Sequence, residues 1–114
     1  MNVLMILNDP PYGTERSFNG LRLAKALLDK GEKLTVFLMA DAVSCAKQGQ
    51  KVPNGYYSIE RMLKPVVRSG ELLLCGTCMD ARGLAESEVL DGARRSSMDE
   101  LAGKTIEADR VLVF

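Results

Sequence analysis

Hydrophobic residues occur along the chain in short runs that alternate with segments of helical periodicity. Nearly unbroken apolar runs at 2–7 and 34–39 predict strands that are buried on both faces. Two further runs, at 71–75 and 110–114, predict a third central strand and a final strand. Buried strands separated by helical segments are typical of a parallel sheet with helical crossovers.

In the segments between these runs, apolar residues recur at helical spacing. This spacing predicts a first helix over 14–30 with Thr14 as its N-cap, and a second helix that Ser58 caps and Gly70 ends. A short helix is expected from Asp41 to Lys47, followed by a mobile loop over 48–57.

After residue 83 the pattern is weaker. A short helix is predicted over 84–90, and either a loop or a short edge strand over 91–95. A capping box, Ser97 to Glu100, begins the last helix. Five of its residues are predicted to face inward: Met98, Leu101, Ala102, Thr105 and Ile106.

These elements predict an α/β fold, a three-layer α/β/α sandwich with a five-stranded, mainly parallel sheet. The length of 114 residues corresponds to one domain, 1–114, that can bury a core without disulfides. Ligands of such sheets gather at the carboxyl ends of the strands. The segments 8–13, 40–57 and 75–83 leave those ends, and together they contain all three cysteines. We call this edge the thiol rim.

The composition argues against several classes of function, among them nucleic-acid binding and histidine-based catalysis. Fifteen basic and fifteen acidic residues cancel, so no basic excess indicates nucleic-acid binding. No apolar stretch has the length of a membrane span, and no signal peptide is evident, so a cytoplasmic protein is expected. There is no histidine, which excludes Ser–His and Cys–His catalysis within the chain. Three cysteines are too few for the usual closed zinc site, and neither a metal nor an organic cofactor is expected.

The chemistry is predicted to centre on Cys75 and Cys78. They lie where the third strand ends and a helix starting near Met79 can begin. Backbone amides and the helix dipole at such a junction favour a thiolate, which is the reactive form of cysteine. Cys78 is the candidate nucleophile, and its alternative role is that of a small packing residue. Cys75 either resolves an oxidised or persulfidated Cys78 or is the last buried residue of its strand.

Three other residues on the thiol rim have both a possible functional role and a possible structural role. Arg82 lies four residues after Cys78 and can stabilise a thiolate; alternatively it is solvated and pairs with Asp80 or Glu86. Lys51 is a weaker candidate for the same role. Cys45 is interpreted as a core residue.

The sequence resembles the DsrE/DsrF-like family of small sulfur-relay proteins over nearly its whole length. The motif Cys75-Gly-Thr-Cys78-x-x-x-Arg82-Gly is the most specific match. The other matching segments are Val3–Leu7, Asn19–Leu27 with Gly31, Val36–Met39 with Asp41-Ala42-Val43, and Ala108–Phe114.

The resemblance implies a five-stranded parallel sheet, a sulfur-accepting cysteine at Cys78 and assembly into a homotrimer or homohexamer. The implied activity is that of a persulfide carrier, which accepts sulfane sulfur from a donor protein and passes it to an acceptor thiol without a cofactor. Two alternatives remain: a dithiol redox protein that uses Cys75 and Cys78, and a non-catalytic oligomeric interaction module.

Overall fold

Five parallel strands form the sheet in the computed structural model, which describes all 114 residues. They are β1 (Asn2–Leu7), β2 (Lys33–Leu38), β3 (Glu71–Cys75), β4 (Ala93–Ser96) and β5 (Arg110–Val113). Their order across the sheet is β4-β3-β2-β1-β5, and all four pairs are parallel. The predicted α/β architecture is confirmed, and the ambiguous 91–95 segment is largely an edge strand.

Four α-helices cover the two faces of this sheet. They are α1 (Arg16–Asp29), α2 (Ile59–Ser69), α3 (Gly76–Ala81) and α4 (Met98–Glu107). Successive crossovers from β1 to β4 run in one direction, so right-handed connections place α1 and α2 on the same face, where they pack together. The connection from β4 back to β5 runs the other way and places α4 on the opposite face, against β1.

The core lies between the sheet and these helices. Phe37, Met5 and Leu74 on the central strands are fully buried, because both faces of a parallel sheet are covered here. Ser17 is the one buried polar residue, and its hydroxyl donates to the carbonyl oxygen of Asp9 at 2.8 Å. No buried side-chain nitrogen or oxygen lacks a hydrogen-bond partner.

Two of the predicted helix caps are confirmed. The Ser58 hydroxyl accepts from the Arg61 amide at 3.3 Å, and the Ser97 hydroxyl accepts from the Glu100 amide at 3.1 Å. The N-cap of α1 is Glu15, one residue after the predicted Thr14. The Thr14 hydroxyl nevertheless accepts from the amide of Arg16, the first residue of α1, at 3.2 Å, and it donates to the Asp9 carboxylate in the preceding loop.

The loop predicted over 48–57 is fixed at its start by hydrogen bonds. The amides of Gly49 and Gln50 donate to the Glu60 carboxylate at 3.2 and 2.8 Å, and the Tyr12 hydroxyl donates to the side-chain oxygen of Gln50. The helix predicted over 84–90 was wrong, because only a 3₁₀ turn at Glu86–Glu88 forms there.

The inward face predicted for the last helix was largely wrong. Only Leu101 is buried, whereas Met98 is 59% exposed and Ile106 is 85% exposed. Helix α4 covers the sheet through a narrow contact and leaves the β5 edge open, so Val113 is also 65% exposed. The apolar residues of this region therefore face outward in the single chain.

Candidate functional site

The site is built where two neighbouring strands end. Strands β2 and β3 are paired in register, with Leu38 opposite Leu74, so the segments that follow them emerge side by side. The segment after β2 is a 3₁₀ helix at Ala40–Ala46, and the segment after β3 is α3. Side chains of α3 therefore meet the backbone around residue 40.

Cys78 is the thiol that reaches the surface. It is partly exposed, whereas Cys45 and Cys75 are both buried. The backbone amide of Ala40 donates to the Cys78 sulfur at an N···Sγ distance of 3.1 Å. A backbone amide is thus directed at the sulfur, as expected for the thiol rim, but it comes from the neighbouring segment.

The conformation of Ala40 is unusual. Its φ of 52° makes it the only non-glycine residue of the chain with a positive φ. A left-handed conformation is unfavourable for alanine because Cβ approaches the following carbonyl oxygen. Strained residues of this kind cluster at functional sites, and here the strained residue is the one whose amide contacts Cys78.

The pKa of Cys78 corrects one expectation. A lowered pKa was predicted, but the pKa of the Cys78 thiol is raised above its ordinary value. Partial burial is the largest cause, since it disfavours the charged thiolate, and the adjacent Cys75 thiol acts in the same direction. The Ala40 amide and the positive charge of Arg82 lower the pKa, but these effects are weaker. The unloaded Cys78 is therefore mainly a neutral thiol at neutral pH.

Cys75 joins the strand to the helix. It is the last residue of β3 and the N-cap of α3, and only 5% of it is exposed. Cys78 follows three residues later, in the first turn of α3, so both thiols lie at the start of the same helix. The structure thus brings the two predicted site cysteines together.

Arg82 is held at the edge of the site by a partner that the sequence did not indicate. Its Nε and Nη2 donate to Asp41 Oδ1 at 3.0 and 2.8 Å, and its Nη1 donates to the carbonyl oxygen of Cys78 at 3.1 Å. Neither Asp80 nor Glu86 is its partner. Arg82 thereby links α3 to the residue that follows Ala40.

Asp80 pairs instead with Arg95, an arginine that the sequence analysis missed. Two parallel hydrogen bonds of 2.8 Å join the Arg95 guanidinium to the Asp80 carboxylate. The guanidinium also lies over Gly76, where an added Cβ would sit 2.7 Å from Arg95 Nε. Gly76 therefore allows an arginine from the edge strand β4 to approach the start of α3. No sequence signal places these residues together, since the contact depends on the pairing of β3 with β4.

Cys45 and Lys51 are not part of this arrangement. Cys45 is fully buried, and its thiol lies 3.6 Å from the carbonyl oxygen of Asp9. Burial raises the pKa of Cys45 to about 12, which makes it unreactive near neutral pH. No hydrogen bond or ion pair joins Lys51 to the cysteines. None of the four main surface clefts is lined by a cysteine.

The chain has neither a metal-binding cluster nor a membrane-spanning helix. No cluster of three or more cysteine, aspartate or glutamate side chains has the arrangement of a metal site. No helix has the length and apolar character needed to span a membrane.

Comparison with known proteins assigns the chain to a family. A model of the DsrE/DsrF-like family matches residues 1–114. The chain belongs to the DsrE/DsrF-like family. Protein YchN of Escherichia coli K12 is 40% identical to it, and the match covers 98% of this chain and 97% of YchN.

The structural and more distant relatives agree with this assignment. The crystal structure of YchN from E. coli matches with a TM-score of 0.94 at 39% identity, covering 100% of this chain and 99% of that one. The sulfurtransferase TusD of Pectobacterium atrosepticum is 27% identical over 100% of this chain and 99% of its own length. The DsrE/DsrF-like family membership expected from the sequence is confirmed, and the family includes sulfurtransferases.

Proposed function

We propose that the protein is a persulfide carrier that accepts sulfane sulfur on Cys78. The observation that carries the proposal is that Cys78 alone among the three thiols reaches the surface, next to a backbone amide donor. Relatedness to the sulfurtransferase TusD supports the same class of chemistry.

The transfer requires only thiol chemistry. The Cys78 thiolate attacks the outer sulfur of a donor persulfide, R–S–SH, and forms a new S–S bond. The original S–S bond breaks, and the donor leaves as a thiol after taking up a proton. An acceptor thiolate then attacks the outer sulfur on Cys78, receives it as a persulfide, and returns Cys78 to the thiol. Both steps are balanced without a metal or an organic cofactor, and donor and acceptor proteins are the expected partners.

The raised pKa of Cys78 sets the pH dependence of loading. Because the thiolate is the nucleophile, loading should accelerate as the pH rises toward that pKa. A thiolate derived from a less acidic thiol is also the stronger nucleophile, which offsets part of the low thiolate fraction.

Mass spectrometry after exposure to a persulfide donor tests the proposal. We expect the wild-type chain to carry one added sulfur atom when it is quenched directly after exposure, Cys78→Ser to gain none, and the matched control Cys45→Ala to load like the wild type. Peptide mapping should place the sulfur on Cys78. Full loading of the Cys78→Ser chain would refute the assignment.

A dithiol redox role is the second candidate, favoured by the position of both thiols in the first turn of α3, with Cys75 at the N-cap. It requires a reversible Cys75–Cys78 disulfide near cytosolic potentials. Titration in glutathione redox buffers followed by mass spectrometry decides this. If a disulfide forms reversibly but no persulfide donor loads Cys78, the redox role replaces the carrier role.

We further infer that the active form is a homotrimer or a homohexamer in the cytoplasm. Exposed apolar residues on α4 and β5, among them Ile106 and Val113, provide a surface that a second copy would cover. Free thiols without disulfides suit a reducing compartment. Light scattering coupled to size exclusion should give a trimer or hexamer for the wild type and a smaller species for Ile106→Asp. A monomeric wild type would exclude this assembly.

A further inference from the structure

The proposed sulfur transfer assigns no step to Cys75, although its position is unusual for an inert residue. It occupies the N-cap of α3, and Cys78 is the third residue of that helix. The two residues therefore belong to the same first turn, at the Cys-x-x-Cys spacing that allows two thiols to react with each other. The proximity of the two thiols is therefore built into the backbone.

The two thiols differ in their access to solvent. Cys75 is 5% exposed and lies on the core side of the junction, whereas Cys78 is partly exposed. An outer sulfur added to Cys78 has room on the solvent side and none toward the packed core. The inner sulfur, Cys78 Sγ, then stays beside Cys75 and beside the amide of Ala40.

This arrangement favours attack on the inner sulfur from within the chain. External thiols reach the outer sulfur from solvent, and their attack gives transfer. Cys75 approaches instead from the buried side of the same helix turn, and its attack on the inner sulfur would expel the outer sulfur into solvent. Intramolecular nucleophiles held in position have effective molarities far above any cellular thiol concentration.

We propose that Cys75 discharges the Cys78 persulfide as hydrosulfide when no acceptor thiol is bound. The inference rests on the proposed loading of Cys78. A Cys75–Cys78 disulfide forms as the Cys78 S–SH bond breaks, and the proton of Cys75 leaves with the outer sulfur or is lost to solvent. The sulfane sulfur is reduced by two electrons, and the two cysteine sulfurs together supply them. The substrate class is a protein persulfide or inorganic polysulfide, and the products are hydrosulfide and the oxidised chain.

This discharge links the two candidate functions of the site. A chain that has discharged carries a disulfide and cannot accept sulfur again until a thiol reductant restores it. The chain would thus transfer sulfur when an acceptor is present and release it as sulfide when none is available. A purely structural role for Cys75, as the last buried residue of β3, predicts no release.

The test begins with loading under anaerobic conditions. The wild-type chain is treated with inorganic polysulfide, excess reagent is removed by gel filtration, and hydrosulfide is then measured with no thiol added. We expect one hydrosulfide per loaded chain, with an equal amount of chain that has lost two hydrogen atoms. Peptide mapping should locate the disulfide between Cys75 and Cys78.

The variants separate the possible outcomes. Cys75→Ala should load normally but release hydrosulfide at least about a hundredfold more slowly, since no neighbouring thiol remains. Cys45→Ala should behave as the wild type. Equal release from Cys75→Ala, release without a stoichiometric disulfide, or a wild-type chain that stays loaded would each overturn the discharge step. If neither the wild type nor Cys75→Ala gains sulfur and the wild type forms no Cys75–Cys78 disulfide, the proposed carrier function is refuted instead. If Cys75→Ala does not fold, the amount of Cys75–Cys78 disulfide in the wild type still tests the discharge step.

Discussion

The strained backbone at Ala40 leads to a prediction that links stability to the site. Ala40→Gly keeps the amide that donates to Cys78 and removes the Cβ that makes a φ of 52° unfavourable. The left-handed conformation costs a non-glycine residue about 1–2 kcal/mol. Glycine loses about 0.5–1 kcal/mol more backbone entropy on folding than alanine. The net expectation is a stabilisation of roughly 0.5–1 kcal/mol, since the relief of strain exceeds the entropy term.

That free energy is large enough to measure. For a chain of this length it corresponds to a rise of roughly 2–5 °C in the melting temperature. Urea unfolding should give the same increase in the free energy of unfolding without a change in the denaturant slope. The pH profile of Cys78 alkylation should stay the same, because the amide donor is retained.

Two further variants serve as controls. Gly83 has a φ of 63° and open space around the position of an added Cβ, so Gly83→Ala should destabilise by about 1 kcal/mol. Ala40→Val introduces a β-branched side chain that disfavours the left-handed conformation more strongly, and loss of the amide donor should raise the pKa of Cys78. The reasoning would be refuted if Ala40→Gly destabilised the protein while Gly83→Ala had no effect.

Three other predictions concern charge and packing. Arg82→Gln removes a charge that lowers the pKa of Cys78, so the pH profile of Cys78 alkylation should move to higher pH; no movement would show that the charge is fully screened. Hydrogen bonds from Arg94 and Ser96 lower the pKa of the Glu100 carboxyl to about 2, whereas its ordinary value in an unfolded chain is 4.5. This contribution to stability is present above pH 4.5 and is lost as the pH falls to about 2, so acid unfolding of Glu100→Gln should depend less on pH over that range. Gly92 has a φ of 92°, and an added Cβ would overlap with the Val67 side chain on α2. Gly92→Ala should therefore lower the free energy of unfolding, measured in urea, by about 2–3 kcal/mol.

Most of the fold could be predicted from the sequence, because its central strands are continuous apolar runs. Strands β1, β2 and β3 are buried on both faces and show no alternation, a pattern that few other elements share. Strand β4 was ambiguous because its sequence, Ala-Arg-Arg-Ser, is polar. Such a polar strand is tolerated here because β4 lies at the edge of the sheet. The orientation of α4 could not be predicted because Ile106 and Met98 have an apolar character that the single chain does not bury. Under the proposed assembly, that character reflects contact with another copy.

The candidate site was predictable only in part. The strand-to-helix position of Cys75 and Cys78 follows from local sequence, and so does their proximity. The contribution of Ala40 and Asp41 does not follow from local sequence. These residues lie 38 and 41 positions before their partners and meet α3 only because β2 and β3 are neighbours. The direction of the Cys78 pKa shift was missed for a related reason. Local sequence indicates donors and the helix dipole, but burial depends on what the whole fold packs around the thiol.

The raised pKa is consistent with a sulfur carrier rather than a general thiol nucleophile. A neutral thiol is protected from alkylation and oxidation, because both reactions proceed through the thiolate. A persulfide is more acidic than its parent thiol, so loading would produce an anion where the empty site holds a neutral group. The Ala40 amide and the Arg82 charge, which are outweighed by burial before loading, would then stabilise the loaded form. Under the proposed carrier function, the two groups that fail to activate the empty thiol would therefore retain the sulfur, and under the proposed discharge Cys75 would determine how long it stays.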